Sequence, residues 1–158
     1  MVFAQRGEEL ITDLRHETTH ALLHDDLALV PIWLDEGLAE CFELLQRDRL
    51  NHPYRENIRW QIRLGRLLTL TELEALTKTE QLGTREYQMA WAWVDYLMRD
   101  SVTTRGVLLG YLDDLRAHRA VERLSQRLEA QIPDYEKQFR RFHMSPQAAT
   151  LPTGRLPR

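Results

Sequence analysis

The chain is expected to fold as a single-domain, mainly α helical bundle. Apolar residues recur at helical spacing along most of it. No segment alternates apolar and polar residues as a half-buried strand does. At 158 residues, with 43% hydrophobic and 28% charged side chains, it is long enough and apolar enough for one real core. The domain is expected over residues 1–144. Residues 145–158 carry three Pro and one Gly and read as a disordered tail.

The elements follow in order. Residues 8–27 predict a first helix, with Leu10, Leu14 and Ala21 as its apolar strip and Ile11 and Leu22 beside it. The histidines lie on the adjoining side, and Leu23 and Leu27 are on that histidine side near the C-terminal end, where a second helix is expected to cover them. Asp25 and Asp26 crowd the last turn against the helix dipole, so the helix should end there. Pro31 breaks the chain, and Asp35 is a candidate N-cap for a second helix running to about Arg49, with Leu38, Phe42 and Leu45 inward. Asn51-His52-Pro53 is a turn. A third helix is expected over 55–67 and a short one opening at Thr71. Residues 84–99 are apolar on most sides and predict a central, buried helix, with Trp91 and Trp93 as core. Two more helices are expected over 105–116 and 118–131, and a last one after Pro133. His118 and His143 are expected at the surface.

Composition excludes several classes of partner. The net charge is -3 and basic residues are mixed with acidic ones, so no nucleic-acid partner is expected. No apolar run approaches the ~18 residues of a membrane span, and residues 1–7 lack the apolar stretch of a signal peptide. As given, the chain reads as cytoplasmic, or as a piece of an exported parent. Its single Cys, Cys41, excludes an internal disulfide framework and reads as a small packed hydrophobe.

The chemistry concentrates in His16-Glu17-Thr18-Thr19-His20, an H-E-x-x-H pentad. With six His in the chain, chance placement would give roughly 0.02 such pentads. Residues i and i+4 share a helix face, so both imidazoles can hold one Zn²⁺. Glu17 stands about a quarter-turn round, placed to take a proton from a metal-bound water rather than to ligate. A catalytic zinc takes three protein ligands and keeps one position open. Glu36 is the candidate third ligand: the fifteen residues between it and His20 allow a turn and a returning helix. Gly37 and Ala39 are small enough to bring that helix close to the first. Glu40, one turn beyond Glu36, is a candidate acceptor for the free N–H of a ligand His. His24 continues the series but lies about 12 Å along the axis from His16, too far to share its ion. It is expected as a polar residue at the cleft rim.

H-E-T-T-H followed by W-L-D-E-G-L-A-E resembles the gluzincin zinc metallopeptidases, particularly the peptidase-MA-like domains, over residues 16–40. The metzincin pattern fails, because Leu23 and Asp26 stand where it needs Gly and His. The gluzincin resemblance implies His16, His20 and Glu36 as zinc ligands, Glu17 as general base and Glu40 in support. It also implies that Tyr87, opening the central helix, steadies the oxyanion. The expected function is a zinc-dependent metallopeptidase acting on a peptide or protein. The resemblance further implies a sheet before the first helix, yet only seven residues precede that helix here. That departure motivates the alternative: a catalytically inactive zinc-binding helical module that binds a protein partner.

Overall fold

The computed structural model describes residues 2–27, 29–45 and 48–145. Among them are eight α-helices and no strand, as the sequence predicts. The helices are α1 (Val2–Asp26), α2 (Ile32–Glu43), α3 (Tyr54–Arg63), α4 (Leu70–Glu74), α5 (Thr84–Arg99), α6 (Val102–Arg116), α7 (Leu124–Gln131) and α8 (Tyr135–Met144). Single 3-10 turns at Arg49–Asn51 and Thr79–Gln81 punctuate the loops. The expected tail from residue 146 lies outside the described residues.

Helix α5 is the centre of the molecule. Every residue from Gln88 to Leu97 is buried, Trp91 and Trp93 included, which meets the expectation. Helices α2, α3, α4, α6 and α8 all pack against it. Trp93 stacks on Phe139 of α8 at 3.9 Å between ring centres, and its indole N–H donates to the Leu68 carbonyl.

Helix α2 crosses α5 at Gly37. A Cβ at that position would stand 2.6 Å from the Ala90 carbonyl oxygen. The small residue therefore allows a close approach to α5, not to α1 as the sequence suggested. Two neighbouring helices compete for α2, and local spacing cannot say which one its glycine faces.

Helix α1 departs most from expectation. It begins at Val2 and packs chiefly on α2. Leu10, Leu14 and Leu22 are about two-thirds exposed, and Ile11 and Ala21 are also exposed. The covered face is the histidine face, with Leu27 buried and Leu23 packed against the core, as expected of these two residues. Periodicity identified the apolar stripe correctly, but a two-faced helix docks by whichever side its neighbour complements, and α2 presents carboxylates.

Other boundaries shift for local reasons. Pro31, not Asp35, occupies the N-cap of α2, which leaves the Asp35 side chain in the first turn. Helix α2 stops at Glu43, short of Arg49, where Leu44 turns extended. Helix α3 ends at Arg63, and Gly65 takes φ +65, a left-handed value that glycine adopts without strain. The short helix is capped by Thr69 rather than opened at Thr71. Thr69 Oγ1 accepts from the Glu72 N–H, and Glu72 accepts from the Thr69 N–H. Helix α6 begins earlier than expected, at Ser101's capping hydroxyl, and α7 starts only at Leu124.

His118 is exposed, but His143 is not at the surface: it is fully buried, and its Nε2–H donates to the Ala92 carbonyl at 3.0 Å. Burial pushes its pKa down to about 3. His52, stacked on Trp91, is likewise buried and pushed down to about 4 by the same cause. The sequence missed both because a lone His carries no mark distinguishing core from surface.

Candidate metal centre

The centre lies between α1 and α2. Helical spacing on α1 puts His16, His20 and His24 on the face turned to α2. Asp35, Glu36, Glu40 and Glu43 stand on the α2 side of the same seam. Neighbouring carboxylates repel unless a cation or proton separates them.

Three of the expected residues converge. His16 Nε2 lies 3.7 Å and His20 Nε2 3.6 Å from the same Glu36 oxygen, Oε2. These gaps are too long for hydrogen bonds. Bonds of about 2.0–2.1 Å to a tetrahedral ion imply ligand-to-ligand edges of about 3.3 Å. The observed spacing is a few tenths of an ångström wider and leaves room for an ion. One nitrogen from each imidazole and one carboxylate oxygen make a group placed to hold a metal ion, with the two-His, one-carboxylate chemistry that suits a divalent cation such as zinc.

The opposite ring nitrogens are fixed. His20 Nδ1–H donates to Asp35 Oδ1 at 2.8 Å, and His16 Nδ1–H donates to Glu43 Oε2 at 3.1 Å. A carboxylate can only accept, so each Nδ1 carries a proton and Nε2 is the ring atom left facing Glu36. This is the arrangement that orients a ligand imidazole and raises its basicity.

Glu40 does not fill the role expected of it. It is buried, and its Oε1 accepts from the Tyr54 hydroxyl at 3.2 Å, while the imidazole N–H groups go to Asp35 and Glu43. Burial, and then the Glu43 charge, pushes Glu40 up to about 7. The Glu36 carboxylate on one side of His16 and Glu43 on the other raise that imidazole to about 10. A proton on His16 offsets part of the charge of these carboxylates.

Glu17 is exposed and has no hydrogen-bond partner among the described residues. It is not part of the group that could hold an ion. Tyr87 is half-buried near the seam. Burial raises its pKa, and the Glu36 and Glu40 charges raise it further. Its hydroxyl makes no hydrogen bond among the described residues, so it remains available as a donor. Cys41 is buried with its Sγ against the Trp91 carbonyl, a packed side chain as expected.

Sequence reasoning missed Asp35, Glu43 and Tyr54. Glu43 could have been found, because it stands seven residues beyond Glu36, two helical turns on the same face. Asp35 was masked by its aptitude for capping. Tyr54 arrives from another element, and no local pattern announces it. Compared with family models, curated proteins and solved structures, the chain matches none.

Proposed function

We propose that the protein is a zinc-dependent metallopeptidase whose centre is His16, His20 and Glu36, with Glu17 as general base. The observation that carries this is the convergence of two Nε2 atoms on one Glu36 oxygen at ion-sized spacing, each ring turned there by a carboxylate behind it. Zinc held there would lower the pKa of a water toward about 7 and polarise a substrate carbonyl. The Glu17 carboxylate accepts the proton of the attacking water and later returns it to the leaving amine nitrogen. Tyr87 donates its phenolic hydrogen to the oxygen that gains charge. Glu40, neutralised in part by burial, limits the negative charge beside the centre.

Glu17→Gln tests the assignment of the base. The variant should bind zinc as the wild type does and lose peptide hydrolysis. Wild-type turnover in that variant would remove Glu17 from the reaction. The exposed apolar strip Leu10, Leu14 and Leu22 favours a second reading, an inactive zinc module that docks a protein partner. Tightly held zinc without cleavage of any member of a broad peptide library would select it.

A further inference from the structure

His24 is not idle at the rim. Its Nε2–H donates to Asp35 Oδ2 at 2.9 Å, while Asp35 Oδ1 accepts from His20 Nδ1 at 2.8 Å. The two oxygens of one carboxylate are therefore held by two histidines one helical turn apart. Asp35 itself is fixed on α2, with its backbone N–H on the Pro31 carbonyl. The chain of contacts runs His24, Asp35, His20, and then across the gap to Glu36.

We propose that His24 is a positioning residue for the metal centre: by holding Asp35 Oδ2 it locks the carboxylate that orients His20. This rests on the metal reading of His16, His20 and Glu36. A carboxylate gripped at one oxygen can rotate about its terminal torsion, which is broad and weakly constrained. Gripped at both, it presents Oδ1 to His20 in one orientation, and His20 Nε2 is aimed with it. His20, His24 and Asp35 could instead be read as a second ion site. The distances argue otherwise: 2.8 and 2.9 Å are hydrogen-bond lengths, with no space for an ion between the atoms. His20 Nδ1 would also have to give up its proton while Nε2 served the first ion.

The His24 side chain is 59% exposed, so replacing it opens no cavity. Metal-free His24→Ala should melt with the wild type. Removing a group that directly supports a metal ligand costs about 10–100-fold in affinity. Asp35→Ala should fall in that range. His24, one contact further out, should cost about three- to tenfold.

Zinc affinity is measured by chelator competition on the full chain, and the visible spectrum of bound Co²⁺ is recorded for each variant. His24→Ala should weaken zinc binding and alter the Co²⁺ spectrum. His24→Gln, whose amide nitrogen can replace Nε2 as donor, should restore both. In the Asp35→Ala background, His24→Ala should have no further effect, because its route to the metal is gone. Wild-type affinity and spectrum in His24→Ala overturn the positioning role and leave the metal centre standing. So does a stoichiometry of two ions in the wild type that falls to one in His24→Ala. A wild-type chain that binds neither ion overturns the centre itself, and the positioning role with it.

Discussion

Gly37→Ala is the perturbation with the most sharply defined consequence. The added Cβ would stand 2.6 Å from the Ala90 oxygen, 2.8 Å from the Ala90 carbonyl carbon and 2.8 Å from Val94 Cγ2. Two of these atoms are backbone of the central helix and cannot rotate away. Ordinary contact would require α2 and α5 to part by several tenths of an ångström. Overpacking of this kind costs about 1–3 kcal/mol, and a backbone obstacle belongs at the upper end. Ala gains about 1 kcal/mol over Gly in a helix interior. The net loss should be about 2 kcal/mol. For a chain of this size that is about 4–8 °C in melting temperature. Gly110 in α6 is the control, since a Cβ there meets nothing within 4 Å. Gly110→Ala should stabilise by about 0.5–1 kcal/mol. Urea denaturation of both variants reads the difference, and zinc affinity of Gly37→Ala reads the displacement of the neighbouring Glu36. Gly37→Ala as stable as the wild type would refute the packing of α2 on α5 at this point.

Other outcomes follow from the same structure. The His16 imidazole is raised to about 10, so a zinc ion bound through its Nε2 would displace one proton across neutral pH. Apparent zinc affinity should rise about tenfold per pH unit between pH 7 and 9, where a His of ordinary pKa would give almost no slope. Isothermal titration at several pH values measures it. His52 and His143 are lowered to about 4 and about 3, so the unfolded chain takes up protons there that the folded chain refuses. Their stabilising effect is complete above the ordinary His value and is lost as pH falls below it, by about 1.4 kcal/mol per unit for each ring. Denaturation of His143→Gln between pH 6 and 4.5 should show one such increment removed from the slope. His16 acts in the opposite sense, its contribution complete below the ordinary His value and lost as pH rises through about 10. Tyr87→Phe should keep zinc and lower kcat by about 10²-fold, as loss of one oxyanion donor does. Steady-state kinetics with an unchanged zinc content would establish this.

The sequence determined the helical class and the central position of α5, because unbroken 3.6-residue periodicity and an apolar surface on all sides leave a helix no other place. It also determined that His16 and His20 share a face, since that is a property of one helix alone. Glu36 was legible as a candidate because W-L-D-E-G returns a carboxylate at a workable distance along the chain. Tertiary structure decided the rest. It turned the Leu10–Leu14 strip of α1 outward, set Gly37 against Ala90, and gave the imidazole N–H groups to Asp35 and Glu43 instead of Glu40. It also buried His143 and brought Tyr54 to Glu40. Helical periodicity fixes angles around one axis. Which angle faces a partner depends on the rotation and separation of two axes, and those are settled by all contacts at once.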